Sequence, residues 1–228
     1  HNVRLELGAT KNKIDNVDSE AYCDAQRCSF MFDKIFRSMY HSESGAIIST
    51  NTTYKFFELQ NQEQIIKEKP NGELIRVFCN SEVNGAIPDM LQRTSKIMFD
   101  TSYQDNSRLD WVACSQHSAK VFGDIFEMRD SMAEKWINAK CDLSDPDCIR
   151  KITSKVLKKW PEKIDTYTSD GGMDVSKNYN AQEDLTTKFG FGQVISGLIV
   201  LAPGGTLVFR LFTLFEKFTQ HIFYLLNE

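Results

Sequence analysis

The chain has 228 residues, of which 41% are hydrophobic and 25% charged, with a formal net charge of -4. That length suits one α/β domain with a sizeable core, or such a domain with an N-terminal extension, and excludes two ordinary large domains. The acidic balance excludes a global basic field, so any nucleic-acid contact has to come from a local patch.

Residues 1–20 are polar and weakly patterned, and read as an extension. Phe30, Met31, Ile35, Phe36 and Met39 recur at helical spacing and predict a helix over 28–39. A Ser/Gly/Thr-rich loop follows, then a second helix over 50–67, with Asn51 or Thr52 able to cap its first amides. Pro70-Asn71-Gly72 is a turn, and the apolar run over 73–79 predicts a first, buried strand. Residues 85–94 predict a helix that tolerates Pro88 in its first turn. Short apolar runs over 96–100 and 111–114 are candidates for the next strands. Helices are expected over 128–139 and 148–160, the latter with Ile149, Ile152, Val156 and Leu157 on one face. A strand over 164–170 ends in Asp170-Gly171-Gly172. A helix over 181–201, a turn at Pro203-Gly204-Gly205, a strand over 206–212 and a last helix from Glu216 complete the alternation. The pattern predicts an α/β, Rossmann-like fold: a mainly parallel sheet with helices on both faces, binding ligands at the carboxyl ends of its strands.

Cys23, Cys28, Cys79, Cys114, Cys141 and Cys148 form no CxxC pair, and read as reduced intracellular thiols. The alternative is a disulfide loop between Cys141 and Cys148. No metal site is expected, since His41, His117 and His221 stand alone. No apolar stretch reaches the ~20 residues of a membrane span and no signal peptide opens the chain, which predicts a soluble, cytoplasmic protein with no membrane partner. The apolar region over 194–226 is interrupted by Arg210, Glu216 and Lys217 and predicts a buried helix followed by a buried strand. The aromatic tail Phe212, Phe215, Phe218, Phe223 and Tyr224 reads as core. Beginning at His1 and stopping soon after Leu226, the chain is expected to be a piece of a longer protein.

The segment Ser169-Asp170-Gly171-Gly172-Met173-Asp174-Val175 is followed about thirty residues later by Pro203-Gly204-Gly205-Thr206-Leu207-Val208-Phe209-Arg210-Leu211-Phe212. Together they resemble the catalytic half of FtsJ-like ribose 2′-O-methyltransferases, closest to the Adrift and cap-methylating branch with its members from large DNA viruses. Thr53-Tyr54-Lys55-Phe56-Phe57-Glu58-Leu59 resembles the helix bearing that family's first catalytic lysine. Asp110-Trp111-Val112-Ala113-Cys114-Ser115, followed by Gly123-Asp124-Ile125, resembles a stretch between its second and third strands. The resemblance covers residues 50–228 and leaves 1–49 as an N-terminal extension and helix packed on the core.

It implies that Lys55, Asp170 and Arg210 surround a ribose hydroxyl. It also implies that Glu82, Asn84, Gly85 and Ala86 meet the amino-acid end of S-adenosylmethionine, with Asp124 on the adenine side. RNA, most simply capped mRNA, would be the substrate, with a protein partner supplying what this chain lacks. Lys151, Lys155, Lys158, Lys159 and Lys163 make a basic stripe suited to RNA phosphates.

The sequence departs from the family pattern in four places. Arg210 replaces the second catalytic lysine, and a guanidinium does not exchange a proton as a buried lysine does. Val83 and Asn84 replace smaller or stiffer residues of the cofactor loop, and Cys79-Asn80-Ser81 lacks the usual aspartate. The family's glutamate lies on a strand beyond the last helix, so the domain is expected to lack that strand. Two functions follow: an RNA 2′-O-methyltransferase with degenerate motifs, or a catalytically silent module that binds RNA or protein as a scaffold. Plainer roles stand beside each residue. Lys55 fits a solvated helix face, Asp170-Gly171 fits a turn, and a charge at 210 among apolar neighbours requires a partner or an open cleft.

Overall fold

The computed structural model describes residues 2–14, 16–18, 20–22, 24–25, 50–82, 85–99, 108–115, 133–138, 142–172 and 181–227. The helix expected over 28–39 lies outside them. The chain divides into two compact units, one comprising Ala46–Gly172 with Lys188–Leu211, the other His1–Gly45, Met173–Thr187 and Phe212–Glu228.

The first unit is built on β1 (Ile75–Asn80), β2 (Leu109–Ser115), β3 (Trp136–Asn138), β4 (Ile164–Ser169) and β5 (Leu201–Phe209). All neighbouring pairs are parallel, in the order β3-β2-β1-β4-β5. The α/β expectation holds. The chain starts in the middle at β1, moves outward through β2 and β3, then returns to the other side of β1 with β4. That reversal opens a crevice at the carboxyl ends of β1 and β4, where open parallel sheets bind ligands.

Parallel strands joined by helical crossovers are covered on both faces, so their residues are apolar on both. Phe78 and Val112 pack in a cluster with Ile149, Ile152, Val156 and Trp160 of α4 (Pro146–Lys159). Val77 and Trp111 point to the opposite face by strand alternation and are also fully buried. The helices α2 (Asn51–Glu63) and α3 (Ala86–Met98) pack against each other, and α3 against β2. Each fully buried aliphatic or aromatic side chain in such a core contributes roughly 1.5–3 kcal/mol.

Several elements differ from expectation. Residues 96–98 complete α3 and form no strand. A short apolar run has no period of its own, and here it extends the helical spacing of Ile87, Met90, Leu91 and Thr94, all buried. Trp136–Asn138, expected within a helix, is the edge strand β3, preceded by the 3-10 turn Ala133–Lys135. Pairing with β2 and the edge-to-face contact of Trp136 with Trp111, ring centroids 6.4 Å apart, decide its conformation. The second helix stops at Glu63, and its cap is Thr50, which makes a reciprocal capping box with Thr53. Neither Asn51 nor Thr52 serves as the cap.

The helix α5 (Gln182–Val200) passes directly into β5, and the Pro203-Gly204-Gly205 turn lies inside the strand as a register irregularity opposite Ile164 and Thr166. As the outer strand, β5 is only partly covered. Glycines let α5 approach its neighbours. A Cβ on Gly192 would lie 1.9 Å from the Leu143 carbonyl oxygen, and one on Gly197 would meet the Leu207 and Tyr167 side chains.

In the other unit, α1 (Asn2–Ile14) is a regular helix where a weakly patterned extension was expected, and its Arg4 pairs with Glu216 at 2.5 Å. Glu183 accepts hydrogen bonds from Thr213 Oγ1 (2.6 Å), the Phe215 amide (3.0 Å) and the Glu216 amide (2.8 Å). Burial pushes its carboxyl up, but these donors outweigh burial and hold it below the usual carboxylate range. They fix the entry to α6 (Lys217–Asn227), which buries Thr219 and Ile222 and exposes Phe218, Phe223, Tyr224 and Leu225. The aromatic tail is therefore not simply core, because Phe218, Phe223 and Tyr224 are exposed.

Cys79 and Cys114 are free and buried, whereas Cys148 is disulfide-bonded to a partner outside the described residues. The uniform reading of reduced thiols is corrected there. No described helix is long and apolar enough to cross a membrane. No group of three or more metal-ligating side chains occurs among the described residues.

Asp110, at the start of β2, pairs with Lys135 (2.7 Å) and Lys159 (2.9 Å). Burial pushes its carboxyl up, yet the hydrogen bonds and charges of the two lysines outweigh burial and hold it below the usual range.

Gly192→Ala is expected to destabilise the protein by about 2–3 kcal/mol through overpacking. Gly204→Ala, at φ 80° with open space around it, should cost only about 1–2 kcal/mol of left-handed backbone strain. Urea midpoints compare them, and equal losses would contradict the close α5 contact. For Asp110 the folded-state value is the depressed one, so its contribution is complete above the unfolded value near ~3.9 and is lost as pH falls through the folded value. The stability gap between wild type and Asp110→Asn should therefore be largest near neutral pH and close in acid, as followed by denaturation at a series of pH values.

Candidate active site

The carboxyl ends of β1 and β4 carry Asn80-Ser81-Glu82 and Ser169-Asp170. Strand pairing aligns Asn80 with Ser169, and Ser169 with Phe209 of β5. Asp170 and Arg210 are the residues immediately beyond those paired positions, so the sheet register places them side by side. The Arg210 amide donates to the Ser169 carbonyl (3.1 Å), and Arg210 Nε lies 2.8 Å from Asp170 Oδ1. The contact is an ion pair without an aligned Nε hydrogen bond. The Arg210 side chain is 38% exposed and that of Asp170 10% exposed, so the carboxylate is nearly covered while the guanidinium reaches solvent.

The other carboxylate oxygen of Asp170 accepts a hydrogen bond from Thr52 Oγ1 at 2.8 Å. Thr52 lies in the first turn of α2, and Lys55 is one turn further along the same face. Lys55 is exposed and makes no hydrogen bond or ion pair among the described residues. Three residues picked out from the sequence thus gather at one corner: Asp170 and Arg210 touch, and Lys55 stands a helical turn away.

On the β1 side the chain turns sharply, with Ser81 at φ 56° and Gly85 at φ 83°, both left-handed. Non-glycine residues adopt that conformation at a cost, and such strain gathers at functional loops. The Asn80 side-chain carbonyl holds the Ser81 amide (2.9 Å). Glu82 is buried and accepts from the Gly85 amide (3.0 Å) and the Ile87 amide (3.3 Å), doing the capping work that Gly85, the N-cap of α3, cannot do with a side chain. Ala86 is buried in the first turn of α3. Asn84 and Asp124, the remaining cofactor expectations, lie outside the described residues, as does Val83.

The exposed lysines of α4 run away from this corner. Since α4 leads into β4, its last turn lies at the edge of the sheet opposite Asp170, and Lys151 to Lys159 spans about 12 Å along the helix. Lys159 is engaged by Asp110 and stacks over the Trp160 ring at 4.3 Å. Lys151, Lys155, Lys158 and Lys159 are exposed and Lys163 is half-buried.

No family model matches the chain. Among curated proteins, it is 25% identical over 203 residues to "Probable methyltransferase EP424R" of African swine fever virus, covering 83% of this chain and 45% of that protein. It is 37% identical over 243 aligned positions to "Cap-specific mRNA (nucleoside-2'-O-)-methyltransferase 1" of Trypanosoma brucei brucei, covering 97% of this chain and 58% of the relative. A segment of 86 residues is 34% identical to "Cap-specific mRNA (nucleoside-2'-O-)-methyltransferase 2" of Drosophila melanogaster, covering 38% of this chain and 12% of that protein. These similarities support the resemblance to FtsJ-like, cap-type methyltransferases. It spans about half the length of the viral relatives it matches.

The structure adds residues that the sequence did not single out. Thr52 appeared only as a possible helix cap, and its bond to Asp170 spans 118 positions of sequence. Gln193 is 1% exposed, and its side-chain carbonyl accepts from Ser169 Oγ (2.7 Å) and the Gly171 amide (3.1 Å). A glutamine inside an apolar helix is the one signal that could have marked it, because a buried amide needs partners. Asn80, likewise buried, donates to Tyr167 Oη at 2.8 Å and ties β1 to β4 beneath the crevice. Gly171 is required by the Phe189 ring, which a Cβ there would meet at 2.4 Å.

Glu82→Gln should destabilise the protein by about 1–3 kcal/mol, since an amide NH2 would face a backbone donor where a carboxylate oxygen accepts. Thermal unfolding checks it, and an unchanged midpoint would show that Glu82 does not hold the loop.

Proposed function

We propose that this chain is the methyl-transferring module of an S-adenosylmethionine-dependent RNA ribose 2′-O-methyltransferase that acts near the mRNA cap. The observation that carries the proposal is the placement of Asp170 at the β1/β4 crevice, with Arg210 and Thr52 on its two oxygens and Lys55 one turn from Thr52. The names of the trypanosome and fly relatives support the RNA substrate.

A ribose hydroxyl is a weak nucleophile that needs a fixed approach and an acceptor for its proton. Each oxygen of Asp170 keeps a lone pair beyond those turned to Thr52 and Arg210, so the carboxylate can accept the hydroxyl proton in a hydrogen bond. Lys55 brings an amine to the same side of α2. Arg210 stays charged, and orients and balances Asp170 without carrying the proton. Left-handed Ser81 and Gly85, and the buried Glu82 that holds the Gly85 amide, suit the methionine end of S-adenosylmethionine together with Ala86; the resemblance adds Asn84 there and Asp124 toward the adenine. When bound, that cofactor supplies the electrophilic methyl group. Lys151, Lys155 and Lys158, on the far side from Asp170, suit RNA phosphates beyond the reacting nucleotide.

The ion pair at Arg210 favours one competing account, a silent module in which the guanidinium fills the place of a catalytic lysine and the domain serves as a protein- or RNA-binding scaffold. Methyl transfer to capped RNA separates the two. Asp170→Ala should lower the rate at least about a hundredfold without unfolding the protein, and Arg210→Lys should raise it. A folded wild-type protein that neither binds S-adenosylmethionine nor methylates capped RNA would establish the silent module.

A further inference from the structure

Among the described residues, hydrogen bonds reach Asp170 and its chain neighbours from two directions besides Arg210. From α2, Thr52 Oγ1 donates to Oδ2 at 2.8 Å. From α5, the Gln193 carbonyl holds both chain neighbours of Asp170, accepting from Ser169 Oγ at 2.7 Å and from the Gly171 amide at 3.1 Å. A backbone amide can only donate, so the carbonyl end of Gln193 must face it. Tyr167, two residues before Ser169, accepts at its hydroxyl from Asn80 at the end of β1. The backbone at 169–171 is thereby tied to β1 and α5, and Phe189 closes over Gly171. Arg210 opposes Oδ1, leaving rotation of the carboxylate limited on both oxygens.

We propose that Thr52 and Gln193 are positioning residues: Gln193 fixes the backbone that carries Asp170, and Thr52 sets the rotation of its carboxylate toward the ribose hydroxyl. The proposal rests on the methyltransferase reading above. Neither residue needs to touch the substrate. Their effect is on the fraction of bound complexes in which the carboxylate and hydroxyl are aligned, a quantity that enters the chemical step and leaves affinity nearly unchanged.

The test pairs an activity measurement with one that requires no activity. Thr52→Val removes the hydroxyl at constant volume, Thr52→Ser keeps it, and Gln193→Met removes the acceptor. With S-adenosylmethionine and a capped RNA oligonucleotide, Thr52→Val should lower kcat about ten- to hundredfold with both KM values within about twofold. Thr52→Ser should restore most of kcat. Gln193→Met should act in the same sense; if it does not fold, the threonine pair still decides the matter. In parallel, urea midpoints are measured for Thr52→Val, Asp170→Ala and the double variant, where the midpoint shift caused by Thr52→Val should vanish once Asp170 is gone.

No such coupling would overturn the contact on which the proposal stands. Coupling with kcat unchanged in an active protein would overturn the positioning role alone, leaving the methyltransferase reading intact. Coupling in a wild-type protein that transfers no methyl group would remove the methyltransferase reading, and show the contact to be structural.

Discussion

The site depends on the reversal of strand order at β1. Because β2 takes one side of β1 and β4 the other, the loops leaving β1 and β4 depart toward different neighbours and leave a crevice between them. The two ends of that crevice are chemically distinct. The β1 end is a strained turn organised by the buried Glu82, while the β4 end is an acidic corner organised by Asp170. A different strand order would separate them, whatever the residues.

Close packing behind the crevice keeps the acidic corner in place. Gly192 lies against the Leu143 backbone, Gly197 against Tyr167 and Leu207, and Gly171 against Phe189. These contacts bring α5 near enough to β4 for Gln193 to reach Ser169 and Gly171. The glycines and the glutamine therefore act together: the first permit the approach, and the second uses it to hold backbone polar groups that would otherwise be buried without partners.

Arginine at 210 gives the corner its particular character. It matches the charge of the family's lysine but not its proton chemistry, and it sits in ion-pair contact with the carboxylate. In the proposed reaction, the hydroxyl proton has only Asp170 and Lys55 among the titratable groups assigned to the corner. This concentrates demand on the orientation of one carboxylate, and makes the contacts of Thr52 and the ties of its backbone more consequential than in a corner with two amines.

Periodicity and local motifs were enough to read α2, α3, α4, β1, β2 and β4, because their apolar patterns are long or bounded by clear turns. It was the family resemblance that drew attention to Lys55, Asp170 and Arg210 together; local pattern alone marked Asp170 at a strand end and Arg210 as a charge among apolar neighbours. Periodicity and local motifs failed where a short apolar run had no period of its own, as at 96–98, and where a strand exists only through its partner, as at Trp136–Asn138. They also failed for the terminal aromatic helix and for the cysteine now paired at 148. The sequence by itself determined the alternation of helices and strands, which is written in local spacing, and the chemical types at the acidic corner, which its resemblance to a family picks out. Only the tertiary structure decided that Asp170 meets Arg210 through the β4/β5 register, that Thr52 reaches it from α2, and that Gln193 holds its backbone. Those contacts join positions far apart in the chain, and become defined only when the sheet closes and α5 settles on it.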